Sequence, residues 1–411
     1  MAIKKGDFFA KKRDWSKLKD QILDHYLAPY LAKITTTGRP TRIVDCFAGK
    51  GRFDDGQDGS PLIIAKQVAS MLARAPSSDV KAVFIEQKYA AQLEVNLVGA
   101  PGCKVISGDY EQCISRFLSE HVKRDRNYLF YVDPYGIKSL DFGHFARLKK
   151  VGFQSLEMLI NLNSTGFLRE GCRLLSLTRA VPDWADDLDY ETDGKNTPAR
   201  MDEIAGGNYW RTILAAFQSD TINFHEAEEE FIAAYTKRLG NHLKYVINIP
   251  IKERSCHMPK YRLVFATAHH DGFFLMTEIM NKAWHTLLTR EAGGQLFLFN
   301  DEQWAHTQGP SIEDKIWEEA ATSTELAALL IRLIDKNGIA YSPSEYVAAI
   351  RKYEGKRFHV RRKPETTPTG LKARHLDYNL AHIVVKRMPY AQEFLDRAGS
   401  ALELGLNENV F

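Results

Sequence analysis

The strongest constraint on the fold is a succession of short apolar runs, each separated from the next by enough chain for a helix or a turn. They are Arg42-Ile43-Val44-Asp45-Cys46-Phe47, Lys81-Ala82-Val83-Phe84-Ile85-Glu86, Cys103-Lys104-Val105-Ile106-Ser107-Gly108-Asp109, Tyr128-Leu129-Phe130-Tyr131-Val132-Asp133 and Glu157-Met158-Leu159-Ile160-Asn161. Alternation of this kind predicts βαβ units and a mostly parallel sheet buried on both faces. Tyr245–Ile249 and Tyr261–Ala266 read as two further strands joined by a polar loop, closing the sheet with an antiparallel pair. Helices are expected over Asp14–Lys33, where Leu18, Ile22, Tyr26 and Tyr30 recur at helical spacing, and over Glu226–Leu239 and Leu275–Leu288. Another begins at Ser60, read as an N-cap, with Pro61 in the first turn.

Asp45, Glu86, Asp109, Asp133 and Asn161 end these runs. Ligands of open α/β sheets bind beyond the carboxyl ends of the strands, so these side chains are expected to converge on one crevice. Each, taken singly, is equally at home as a solvated loop residue. Behind the first run lies a glycine-bearing loop, Ala48-Gly49-Lys50-Gly51. It is not the dinucleotide fingerprint, because Asp54 stands where the third glycine is needed, and no GxxxxGK[ST] phosphate loop occurs. A ligand without a pyrophosphate, held by sugar and base, suits acidic strand ends better.

The ordered series VDCFAGKG, Glu86, Gly108-Asp109 and Asp133-Pro134-Tyr135-Gly136 resembles that of class I methyltransferases that use S-adenosylmethionine. The resemblance implies a cofactor site formed by Asp45, Phe47, Ala48, Gly49, Gly51, Glu86 and Asp109: the glycine loop against the methionine part, Glu86 on the ribose hydroxyls and Asp109 at the adenine. A carboxylate accepts two hydroxyl bonds, and a glycine leaves room for a ligand. Asp-Pro-Tyr-Gly resembles the DPPY-type motif of amino-group methyltransferases, which implies catalytic roles for Asp133, Pro134 and Tyr135: the acid orients an exocyclic amine and the ring stacks on an extruded base. The second proline of DPPY is absent here, and a tight turn after a strand is the simpler alternative. GSPLIIA resembles the helix start of a bacterial ribosomal-RNA adenine-N6 methyltransferase family. Over nearly the whole length the chain resembles the three-Cys-motif partner (TcmP) proteins, which implies a neighbouring three-Cys-motif protein as partner.

Beyond Thr289–Gly309, read as a connector, the character changes. Ser311–Ala320, a helix opened by a Thr322/Glu325 capping-box spacing and ended by Asn337-Gly338, and a helix opened by Ser342 and Glu345 precede a basic hairpin with a KPETTPTG tip, the layout of a winged helix. The expected organisation is therefore an N-terminal helical segment at 1–40, a Rossmann-like methyltransferase domain at 41–288 with an acidic, irregular insertion near 180–210, a connector at 289–310 and a winged helix at 311–411. The chain's 55 Lys+Arg nearly balance its 52 Asp+Glu, for a net charge of +3. Residues 351–374 nevertheless hold nine positive and two negative side chains, so this stretch carries +7 and the rest −4. Lys356, Arg357, Arg361, Arg362 and Lys363 are the candidate nucleic-acid contacts; a solvated wing or a protein-docking surface is the alternative.

Lys19 or Ser16 either leans over the cofactor or belongs to a solvated face of the amphipathic helix, the simpler expectation, and Asn161 and Asn163 either line a target pocket or cap a turn. His269 and His270, with His257 and Cys256, match no standard metal-ligand spacing, and as neighbours in a strand the two histidines are expected on opposite faces. No metal is expected. Five scattered cysteines without a CxxC pair, and no apolar membrane span, point to a cytoplasmic protein with reduced thiols. The function expected is methyl transfer to an exocyclic amine of a nucleic-acid base. A catalytically silent methyltransferase-like partner subunit is the alternative, and methylation of a protein or small molecule a third.

Overall fold

The computed structural model describes residues 12–120, 124–134, 136–137, 141–181, 196–252, 257–291, 310–366, 370–377 and 383–388. The chain divides into two compact units, Met1–Gly294 and Gln295–Phe411.

The first unit is built on a seven-stranded sheet of β1 (Thr41–Asp45), β2 (Val80–Glu86), β3 (Cys103–Ser107), β4 (Asn127–Val132), β5 (Ser155–Leu162), β6 (Tyr245–Ile251) and β7 (Tyr261–Thr267). Their spatial order is β3-β2-β1-β4-β5-β7-β6. Strands β1 to β5 run parallel, whereas β7 lies antiparallel between β5 and β6. This is the Rossmann-like order 3-2-1-4-5-6 with one reversed strand inserted before the last. The mostly parallel sheet and its antiparallel closure are thus as the apolar runs predict. Every residue of β1 and β5 is buried, as central strands covered on both faces require, while the edge strand β6 alternates and accommodates Pro250.

Helices α1 (Asp14–Ile34), α2 (Ser60–Arg74) and α10 (His270–Glu291) cover one face. Phe167 of α6 (Ser164–Leu174), Trp210 of α8 (Tyr209–Gln218) and Phe231 of α9 (Phe224–Gly240) fill the core on the other, with Phe117 of α4 (Tyr110–Glu120) and Phe145 of α5 (Phe142–Val151). Alternation along each strand sorts the side chains: Tyr128, Phe130 and Val132 of β4 enter this second core, which leaves Leu129, Tyr131 and Asp133 on the α1 side.

Several local expectations are corrected. The N-cap of α2 is Gly59, extended at φ −88°, because the Ser60 hydroxyl is drawn into a bond with Asp45. The stretch read as irregular to residue 210 contains α7 (Pro198–Ala205), capped by Thr197; residues 182–195 of that insertion lie outside the described residues. His269 and His270 are not strand neighbours: β7 ends at Thr267, and His270 opens α10.

In the second unit, helices Ile312–Glu319, Leu326–Asn337 and Pro343–Lys352 accompany a three-stranded antiparallel sheet in the order β8-β10-β9, formed by β8 (Thr324–Glu325), β9 (Phe358–Arg361) and β10 (Val384–Arg387). The capping box expected at Thr322 and Glu325 does not form, because Thr324 and Glu325 pair with β10 as a strand. The box at Ser342 and Glu345 is present with both of its bonds.

Candidate functional site

The carboxyl ends of β1, β2 and β4 bring together the residues singled out at the ends of the apolar runs, with the turn after β1 between them. After Asp45 the chain turns through Phe47 and Ala48 into Gly49 (φ +66°) and Gly51 (φ +85°). An added Cβ on Gly51 would stand 2.9 Å from Leu93 Cδ1, so conformation and space both call for glycine there. The Phe47 ring packs on Tyr110 at 4.4 Å, and Ala48 is buried. The loop is tied down by Asn96 of α3 (Ala90–Asn96), whose amide donates to the Lys50 carbonyl at 2.6 Å.

Glu86, ending β2, closes on this loop. One carboxylate oxygen accepts the Gly49 N–H at 2.7 Å; the other accepts the N–H groups of Lys88 at 2.7 Å and Tyr89 at 3.0 Å. Three of the roughly four acceptor sites of a carboxylate are thus engaged by backbone. Asp109 begins α4, its Oδ1 accepting from Glu111 N at 2.9 Å, which leaves Oδ2 toward other partners. Asp109 therefore serves a helix start in addition to any ligand.

Asp45 is completely buried. Its Oδ1 accepts from Phe47 N at 3.2 Å and its Oδ2 from Ser60 Oγ at 2.7 Å. Burial is the main reason its carboxyl is pushed up to about 7, with the nearby Asp133 and Asp20 charges adding to the shift against its two hydrogen bonds. The geometry makes Asp45 a brace between the loop and the start of α2.

Asp133, one residue past β4, sits beneath α1. Lys19 Nζ donates to its Oδ2, the Tyr131 hydroxyl approaches the same oxygen at 3.3 Å, and Asn161 Nδ2 donates to Oδ1 at 2.7 Å. Lys19 is itself buried and stands over the ring of Tyr261, 5.8 Å from its centroid. Deeper in, Lys12 pairs with buried Asp20 at 2.6 Å and donates to the Asp58 carbonyl at 2.6 Å, fastening the start of α1 to the loop after β1. Asn161 Oδ1 is buried with no hydrogen-bond partner, so the end of β5 presents an unmatched acceptor beside Asp133.

Of the other candidates, Pro134 is buried, and Tyr135 and Cys256 lie outside the described residues. Asn163 caps α6 by accepting from Gly166 N at 2.8 Å, the turn-capping alternative. Ser16 is half-buried on α1. Lys356, Arg361 and Lys363 are exposed; Arg357 pairs with Asp314 at 2.6 Å, and buried Arg362 grips Glu354 through two bonds of 2.6 and 2.8 Å. Arg362 thus serves its own unit and is not a surface contact. No group of three or more His, Cys, Asp or Glu suited to a metal occurs among the described residues, and none of their helices is long and apolar enough to cross a membrane.

Sequence reasoning missed Tyr131, Tyr261 and Asp20. Tyr131 was legible, since residues two apart on a strand share a face and it precedes Asp133 by two. Tyr261 had no local signal, because its place follows from the antiparallel pairing of β7 with β5, in which Arg262 stands opposite Leu162.

The fold defines a Rossmann-like α/β protein that gathers a glycine turn and several acids at the carboxyl edge of its sheet. No family model and no curated protein matches the chain. Solved structures that resemble it include the O-methyltransferase TomG from Streptomyces achromogenes in complex with SAM, at 10% identity over 64% of this chain and 93% of that one, TM-score 0.31. Spermidine synthase from Thermotoga maritima matches at 8% identity over 70% and 68%, TM-score 0.30, and SCL7 of Oryza sativa at 13% over 61% and 83%, TM-score 0.25. Likeness at these TM-scores carries no argument about chemistry, which rests on the residues described above.

Proposed function

We propose that the chain is a class I methyltransferase that binds S-adenosylmethionine and methylates an exocyclic amine of a nucleic-acid base, with a winged helix as its second unit. The observation that carries this reading is the juxtaposition, at one sheet edge, of a glycine turn without a phosphate-binding pattern, an acid at the end of β2 bonded into that turn, and Asp133 held beside it by Lys19 and Asn161. The residues fit the cofactor: Gly49 adds no side chain to the turn, Gly51 lets the turn pack against Leu93, Glu86 keeps about one acceptor site for a ribose hydroxyl, Asp109 offers one to adenine, and Phe47 adds an apolar wall. When bound, the cofactor supplies an electrophilic methyl on a cationic sulfur.

Lys19 and Asn161 fix the Asp133 carboxylate so that its remaining acceptor site takes an N–H of the amine, turning the nitrogen lone pair toward the methyl. In this reading Tyr135 stacks on the base. The family proposed is that of the three-Cys-motif partner proteins, with such a neighbour as partner and the cytoplasm as location; the ordered motifs support it. Asp133→Asn should lower methyl transfer from labelled cofactor to nucleic acid by about 10²-fold, the loss expected when a reacting group is no longer held in orientation, with cofactor affinity unchanged. Transfer at the wild-type rate would refute the assignment.

A second reading, a catalytically silent partner subunit, draws on Glu86, most of whose acceptor capacity is engaged by the chain's own backbone. Calorimetry separates the two: absence of S-adenosylmethionine binding, with and without the partner, favours the silent subunit.

A further inference from the structure

The count of basic residues in the second unit treats neighbours in sequence alike, but the strands sort them. In β9, Phe358 is buried, His359 exposed, Val360 half-buried and Arg361 exposed; in β10, Val385 is buried and Lys386 exposed. The antiparallel register sets Lys386 opposite His359 and Val384 opposite Arg361, so His359, Arg361 and Lys386 share the outer face of the sheet. Arg351, Lys352, Lys356, Lys363, Lys372 and Arg374 are also exposed but lie outside β9 and β10, and several of the unit's remaining cations are paired. Arg332 and Lys336 pair with Glu319, Arg357 with Asp314 and Arg362 with Glu354, while Arg387 lies over the Trp317 ring at 4.1 Å. Among the described residues no ion pair or hydrogen bond engages the side chains of His359, Arg361 or Lys386.

We infer that this outer face, built on His359, Arg361 and Lys386, is the surface on which the protein receives the phosphate backbone of its nucleic acid. The inference rests on the nucleic-acid reading above and gives it a face: it adds His359 and Lys386 to the contact surface and removes Arg357 and Arg362. Residues two apart on a strand are separated by roughly 6.6 Å, and paired residues on adjacent strands by about 5 Å. A duplex strand advances about 3.4 Å of helix axis per phosphate, so the roughly 6.6 Å step from His359 to Arg361 spans about two phosphate advances of one backbone. The cations of this face are carried on paired strands, which hold their spacing, and among the described residues β9 is an edge strand of this sheet.

The test is fluorescence anisotropy with labelled duplex and single-stranded oligonucleotides, using the full chain over 50 to 200 mM salt (about a thousandfold span of affinities for six phosphates engaged). Arg361→Ala/Lys386→Ala should weaken binding about tenfold near 0.15 M salt and flatten the plot of log K against log salt by about 2, one for each phosphate no longer engaged. Arg361→Lys/Lys386→Arg should restore both. Lys104→Ala/Lys237→Ala, which removes the same charge from exposed sites of the first unit, should change neither. Equal losses in the two alanine pairs would mean a diffuse charge effect and overturn the assignment. Wild-type binding with an unchanged salt slope in Arg361→Ala/Lys386→Ala would overturn the face while leaving the nucleic-acid reading intact. No wild-type binding to any oligonucleotide, or binding to anionic vesicles or acidic peptides alone, would overturn both.

Discussion

Asp45 offers a test of the site that needs neither substrate nor cofactor. Its carboxyl has an ordinary value of 3.8 and is pushed up to about 7 in the fold, chiefly by burial. An acid raised on folding binds its proton more tightly in the native state, so the stability it contributes is complete below 3.8 and is lost as pH climbs toward 7. The gap of about three pH units corresponds to roughly 4 kcal/mol, and the group is fully buried, so solvent screening does not reduce the figure appreciably. Asp45→Asn keeps a carbonyl for the Phe47 N–H and a polar neighbour for Ser60, but it has no charge to bury. Urea unfolding of the two proteins between pH 4 and 9 should therefore diverge: the wild type loses up to about 4 kcal/mol relative to the variant, mostly between pH 4 and 7, and the difference is flat above. Glu157, also raised to about 7, contributes equally to both curves and cancels. Parallel profiles would refute the claim that Asp45 titrates inside the fold. The same charge balance bears on ligand binding: a cationic ligand settling nearby favours the ionised form, so its affinity should rise with pH up to about 7, by at most tenfold per pH unit.

Other perturbations follow from the same geometry. Gly51→Ala forces a side chain into φ +85° and toward Leu93, and should cost about 1–2 kcal/mol in a thermal or denaturant melt while loosening the loop that Glu86 holds. Arg362→Ala leaves Glu354 without its two bonds and should cost about 3 kcal/mol in the second unit, whereas Arg361→Ala, one residue earlier and exposed, should stay within about 0.5 kcal/mol; similar losses in both would contradict the inward and outward assignment.

The frame of the first unit was legible because its signal is local. A parallel strand buried on both faces has no alternative to a continuous apolar run, so β1, β2, β4 and β5 announce themselves, and the residue at which apolarity stops marks the carboxyl edge. The acids at that edge were found for the same reason. Lys19 and Asn161 stand among the candidates, but their pairing with Asp133 was not legible, since those bonds join residues 114 and 28 positions apart through helix docking and strand order. Ser60 shows how a local rule loses to a tertiary one. Serine before proline and an apolar helix is a sound N-cap pattern, yet a buried carboxylate next to its hydroxyl is a stronger claimant than a backbone amide that solvent also satisfies. Thr322 and Glu325 failed likewise, because a two-residue strand pairing with β10 left no room for the cap.

The acids at the carboxyl edge differ in what the fold already asks of them, and this divides their roles. Asp45 braces Ser60 and the loop, Asp109 caps α4, and Glu86 holds Gly49. Each has structural bonds that a ligand has to share or displace, so substitution at any of the three perturbs the loop together with binding. Among the described residues Asp133 caps no helix and anchors no backbone amide: its partners are the side chains of Lys19, Tyr131 and Asn161. Asp133→Asn leaves buried Lys19 without its counter-charge and should lower the melting temperature, whereas Lys19→Met/Asp133→Asn, which removes both charges together, should melt closer to the wild type; equal melts for the two variants would refute the pairing.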